Sequence, residues 1–144
     1  MGLSISYEAF NGAYSSFHRF RVELAKRMGI SLNLMRGFYN DTRNMFTLLN
    51  YKFPKGDEVE VWQITEFKKM LPLEWDSFKP SPIHKLLYHS DCDGHINLSD
   101  VRKMIPKLEE FIDEEEDSEF QERLKTFIEG SKEAVECRSR LDFR

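Results

Sequence analysis

The sequence predicts a mainly α fold, a single-domain helical bundle with a small β element near residues 58–64. Three apolar stripes carry the prediction, because each repeats with the three-to-four-residue period of a helix. They are Phe17, Phe20, Leu24 and Met28; Val101, Met104, Ile105, Leu108, Phe111 and Ile112; and Phe120, Leu124, Phe127, Ile128, Ser131 and Val135. The chain's 144 residues are the commonest size for one domain, and folding at that length buries about 70% of the extended chain's surface.

The first helix lies in "SSFHRFRVELAKRMG". Ser15 or Ser16 is placed to cap it and Gly29 to end it in the left-handed conformation. The cluster Arg19, Arg21, Lys26 and Arg27 reads as its wet side and flanks. "DTRNMFTLLN" is a candidate short helix capped by Asp41, and "DEVEVWQI" alternates as an edge strand does. "TEFKKMLP" reads as a further helical turn or two, capped by Thr65 and stopped by Pro72. In "FKPSPI", Ser81 is set to cap and Pro82 to open a short helix through Tyr88. Ser99 is the candidate cap of the next helix, in which Pro106 removes a hydrogen bond, so a kink or two helices meeting near Ile105 is expected. "DEEEDSE" is a solvated connection, after which Ser118 and Gln121 have capping-box spacing.

Composition excludes several classes. Hydrophobic residues make up 40% and charged residues 32%, with 12 Phe among them, enough to fill a core without metals or disulfides. No apolar run reaches the roughly 18 residues a membrane span needs, and no secretion signal opens the chain, so a cytoplasmic location is the expectation. "MGLSIS" also fits the loose myristoylation pattern, with Gly2 and Ser6. Cys92 and Cys137 are expected as reduced thiols. A net charge of −4 argues against a nucleic-acid partner. The charge is uneven, since residues 1–72 hold 10 basic and 7 acidic side chains. The acidic excess of the second half could orient a protein partner.

One stretch carries chemistry, "HSDCDGHINLSD" at residues 89–100. With Gly94 as the sixth position of a twelve-residue calcium loop, Asp91 falls at three, Asp93 at five, His95 at seven, Asn97 at nine and Asp100 at twelve. Alternate side-chain oxygens converge on a hard cation, glycine permits the bend, the seventh residue lends its carbonyl, and Ile96 anchors the loop in the core. The loop thus resembles that of an EF-hand and implies calcium or magnesium. It departs from that pattern with His89 at position one, with Asp rather than bidentate Glu at twelve, and with no second loop of the kind. His89, Cys92 and His95, with Asp91, Asp93 or Cys137, are the alternative zinc or iron set. A third reading makes the stretch a tight turn whose aspartates hold backbone amides.

"LLYHSDCDGHINLSDVRKMIPKLEE", with "SFHRFRVELAKRMGI" and "FIEGSKEAVECRSRLDF", is similar to a family of small uncharacterised proteins from bacteria and their phages marked by a His-Ser-Asp-Cys-Asp-Gly loop. That resemblance covers both ends of the chain, implies a prokaryotic origin and brings no activity with it. The leading functional expectation is a binding or interaction protein whose loop holds a divalent cation. Two alternatives stand beside it: a metal-dependent hydrolase centred on His89, Asp91 and Asp93, and an acidic regulatory or antagonist protein presenting residues 109–122. No nucleophile elbow or phosphate loop is present, so binding ranks above catalysis.

Overall fold

A computed structural model describes residues 2–39 and 69–144. Asp41 and its helix, the alternating segment 57–64 with the predicted β element, and Thr65 lie outside them. The described residues form a mainly α structure with two small antiparallel pairs of strands.

Strand β1 (Gly2–Ile5) pairs with β2 (Phe10–Ala13), with Gly2 opposite Ala13 and Ile5 opposite Phe10. Alternation sends Leu3 and Ile5 into the core. The turn between the strands holds Tyr7 and Glu8 at φ of 59° and 55°, the left-handed region that side chains other than glycine disfavour. Its Ser6 hydroxyl accepts the Asp142 amide at 2.9 Å. The turn therefore folds against the far end of the chain.

Helix α1 (Tyr14–Arg27) follows directly. Ala13, rather than Ser15 or Ser16, is its N-cap, since the strand already delivers the chain in extended conformation up to that residue. Phe17, Phe20 and Leu24 are buried as the period requires, and Met28 packs partly against the same core. Gly29 at φ 77° ends the helix: its amide bonds the Lys26 carbonyl, and the Ile30 amide reaches the Ala25 carbonyl at 2.8 Å, the paired closure of a Schellman motif.

Past a bridge between Met35 and Leu73 comes the short helix α2 (His84–Leu87). The Ser81 hydroxyl accepts the Ile83 amide at 3.3 Å, but the N-cap of α2 is Ile83, not Ser81, and the helix opens at His84 rather than at Pro82. Strand β3 (His95–Ile96) leads into α3 (Leu98–Glu109), whose N-cap is Asn97, not Ser99. Pro106 does not split α3, which runs through it as one element. Both Pro106 and Arg102, the residue whose carbonyl loses its partner, face solvent, where water replaces the missing bond.

Helix α4 (Glu119–Glu136) is capped by Ser118, whose hydroxyl accepts the Gln121 amide at 3.2 Å. Only that half of the capping box forms. The Gln121 amide group instead donates to the Phe111 carbonyl and accepts from the Asp113 amide, both at 3.0 Å, tying down the acidic connection. Strand β4 (Leu141–Asp142) pairs with β3, Phe143 bridges to Ile5, and Ser4 and Arg144 exchange two hydrogen bonds of 2.9 Å. The last residues are thus strung between β1 and the loop that precedes α3. Around them lies an aromatic core in which Phe17 meets Phe10 edge-on at 5.1 Å and Phe143 at 6.0 Å.

Helix α4 ends with the same Schellman geometry as α1, but with an arginine at the left-handed position. Arg138 has φ 51°, its amide bonds the Val135 carbonyl, and the Ser139 amide bonds the Ala134 carbonyl at 2.8 Å. A left-handed conformation costs a residue with a Cβ about 1 kcal/mol that glycine escapes. Arg138→Gly is accordingly expected to raise stability by about 1 kcal/mol in a urea melt. Gly29→Ala, the reverse change at the matching site, is expected to lower it by a similar amount.

Candidate functional site

The loop from His89 to Asp100 closes on the His89 ring. Nδ1 lies 2.8 Å from the Ser90 carbonyl oxygen and Nε2 lies 3.0 Å from that of His95. The ring also packs against that of Phe143, tilted by 30° with centroids 4.0 Å apart. Gly94 is required beside it: φ is 92°, and a Cβ there would stand 3.2 Å from His89 Cε1. Ile96 is buried and anchors the loop as expected. The carbonyl that a cation would draw on at the seventh position is therefore already engaged by the imidazole of the first.

The remaining predicted ligands point to different tasks. Asp93 accepts from the Ser90 hydroxyl at 2.8 Å, and Asp100 pairs with Lys85 at 2.8 Å across the start of α3. Asn97 is the exposed N-cap of α3, and the His95 side chain is exposed on β3. Asp91 is half-buried and acts through its charge on Arg21 and His18. Cys92 is an exposed free thiol 3.4 Å from the Ser90 hydroxyl, and Cys137 is exposed at the end of α4. Among the described residues, no three His, Cys, Asp or Glu side chains gather in a cluster able to hold a metal ion.

Arg21 corrects the sequence reading. It lies not on the wet side of α1 but in the core, 3% exposed. Its Nη1 donates to the carbonyls of Leu87 (3.2 Å) and His89 (2.5 Å), so it fastens the exit of α2 and the entry of the loop to α1. The guanidinium lies 4.5 Å from the Phe17 ring and 5.3 Å from that of Phe38. Burial pulls its pKa down to about 10, against the opposing pull of Asp91, which leaves it charged at neutral pH. The signal was present in the spacing, since Arg21 falls four residues after Phe17 and three before Leu24, on the apolar stripe.

Two histidines have lowered pKa values. Burial does it for His84, which packs at 5.5 Å from Trp75. For His18 burial acts first and the Arg21 charge second, partly opposed by Asn33 and Asp91. Because the unfolded chain takes up protons at the ordinary value of 6.5 and the folded chain only lower, folding is favoured above that pH and weakened below it. The melting temperature is expected to fall between pH 7.5 and 5.5, and less steeply in His84→Gln. Glu74 and Glu116, whose pKa values are held down by hydrogen bonds from Arg36 and from Ser118, contribute only at lower pH.

A second feature lies on the other side of α1. A groove of about 430 Å³ runs between α1 and the start of α4. Its floor is the stacked pair Phe20 and Phe120, with centroids 5.7 Å apart. At one end Arg27 lies over the Phe120 ring at 3.9 Å, bonded to both oxygens of Glu116 at 3.0 Å and to Glu23 at 2.9 Å. At the other end Arg19 and Arg123 share Glu119, at 3.8 and 3.4 Å. In the sequence Arg19 and Arg27 read only as helix flanks, because it is the α1–α4 contact that makes a groove of them.

The acidic connection is partly compensated. Glu109 pairs with Lys132, Glu110 with Lys107 and Glu114 with Lys125. Among the described residues, no helix is long and apolar enough to cross a membrane. Compared with family models, curated proteins and solved structures, the chain matches none.

Proposed function

We propose that this chain is a cytoplasmic binding protein and that the groove between α1 and α4 is its ligand seat. One observation carries the reading: a groove of about 430 Å³ over the buried Phe20–Phe120 pair, rimmed by three arginines and three glutamates, a volume within the range of small-molecule sites. The two exposed free cysteines suit a reducing compartment. In this reading the loop of residues 89–100 is structural, joining α1, α2, α3 and the last strand through Arg21 and His89. The test is a titration of isotope-labelled protein with naphthylmethanol, a neutral probe for the groove. Shifts concentrated in residues 16–27 and 118–123 are expected, and their absence at millimolar probe sinks the reading.

A divalent cation at the loop is the second reading, motivated by Asp91, half-buried in the loop with the exposed Asp93 two residues on. Calcium or magnesium would draw on Asp91 and Asp93, and zinc on Cys92 with a histidine. A metal that prefers the folded state raises the melting temperature by mass action. This reading expects such a rise with millimolar calcium or magnesium and none in Asp91→Ala or Asp93→Ala. An unmoved melting temperature in calcium, magnesium, manganese and zinc removes it.

A further inference from the structure

Residues 71–78 are fastened to their two neighbours in different ways. Toward residues 34–36 the ties are polar: the Leu73 amide donates to the Leu34 carbonyl at 2.8 Å, the Arg36 amide to the Leu73 carbonyl at 2.9 Å, and Glu74 pairs with Arg36. Toward α2 the ties are rings. Trp75, half-buried at the start of a 3-10 turn, sits 5.5 Å from the His84 ring and edge-on to Tyr88 at 5.4 Å, while its indole Nε1 donates to the Arg36 carbonyl at 3.1 Å. His84 beside it is only 9% exposed. A neutral imidazole packs there at little cost, whereas an imidazolium in the same place lacks the water its charge requires.

We propose that His84 is an acid-sensitive fastening: once protonated it expels Trp75, which gives up its contacts on α2 and its indole bond while the backbone bonds of Leu73 hold. Release bares the ring face of α2 beside Tyr88, already 48% exposed. The charged and titratable groups on the elements around His84 are Lys85 and Tyr88 on α2, Glu74 and Asp76 on residues 71–78, and His18 and Arg21 on α1. Lys85 is paired with Asp100, Glu74 with Arg36, and Arg21 with the Leu87 and His89 carbonyls. Burial is what lowers the His84 pKa from 6.5, and among the described residues no carboxylate acts to hold the proton there. The open state binds the proton at the ordinary value and the closed state only lower, so release grows as the pH falls below 6.5, by up to about tenfold per unit.

The experiment follows solvent exchange of the Trp75 indole N–H in the isotope-labelled full chain from pH 7.5 to 5.5, corrected for its intrinsic pH dependence, with His84 protonation read from its own ring signals. Protection of the indole is expected to fall by up to about tenfold per unit below pH 6.5, while the amides of Leu73 and of α4 keep theirs. In His84→Gln the fall is expected to vanish. An indole whose protection survives the protonation of His84 overturns the proposal, because the imidazolium then stays packed on the indole face. So does an equal fall in His84→Gln, which would assign the effect to another group such as His18. An equal loss of protection in α4 would make the change general unfolding and overturns the proposal too; that comparison within the wild type decides even if the variant does not fold.

Discussion

Gly130→Ala is expected to destabilise the protein by about 2–3 kcal/mol, the opposite sign from what its place in a helix suggests. In the middle of an exposed helix, glycine to alanine gains about 1 kcal/mol. Here the missing Cβ is filled by the backbone of the first turn. A Cβ on Gly130 would lie 2.6 Å from Ala9 Cα, 2.7 Å from its Cβ and 2.8 Å from its amide nitrogen. The obstacle is backbone, so no rotamer change relieves it. Nor can the turn retreat cheaply, because Ser6 holds Asp142 and the flanking strands β1 and β2 are paired to each other and to the last residues. A chemical-denaturation series reads the effect, and at this chain length the melting temperature should drop by about 10 °C. Adding Ala9→Gly should restore only part of the loss, since it removes one of the three close atoms. A neutral or stabilising Gly130→Ala would mean that α4 and the turn are not in contact.

Gly130 also shows what the sequence conceals. The stripe from Phe120 to Val135 was legible because each member repeats at the helical period and is apolar, and the structure buries most of it with Val135 at its edge. Glycine adds nothing to such a pattern, so this close approach left no trace in it. The same limit hid the first strands. Leu3 and Ile5 alternate over four residues only, too short a run to declare a strand, and the second neighbours of β1, Phe143 beside Ile5 and Arg144 beside Ser4, lie at the other end of the chain. Helix ends were legible where one residue type does the work, as at Gly29 and Ser118. They were not where extended backbone leads straight in, as at Ala13 and Asn97.

The loop divides along similar lines. Its turn at Gly94 and its anchor at Ile96 follow from residue type, and both are in place. Which groups the carboxylates and imidazole would meet depended on elements far away in sequence: Lys85 for Asp100 and Phe143 for the His89 ring. Spacing alone assigned these side chains to a common centre. The groove between α1 and α4 was illegible for the same reason, since Arg19 and Glu119 are a hundred positions apart.

Arg21→Met is expected to cost about 2–3 kcal/mol and to loosen the loop specifically. Methionine fills nearly the same space beside Phe17 and Phe38, so the change tests hydrogen bonding more than packing. Bonds from a charged donor are worth about 1.5–3 kcal/mol each, and Arg21 makes two, to Leu87 and His89. Against this stands the relief of no longer burying a charge, the penalty visible in a pKa held down to about 10. The loss prevails because removing the donor strands two carbonyl groups, that of Leu87 in the buried core, with no water to replace it. Arg21→Lys should recover little, since a single ammonium neither spans both carbonyls nor lies flat between two rings. Hydrogen exchange separates this from a general weakening. In either variant the amides of Cys92 and Phe143, which close the loop onto the Ser90 hydroxyl and the Gly94 carbonyl, should exchange faster relative to those of α4. Uniform acceleration across both regions would show that Arg21 contributes to the core alone. Unchanged stability would show that the loop and α1 are not joined through it.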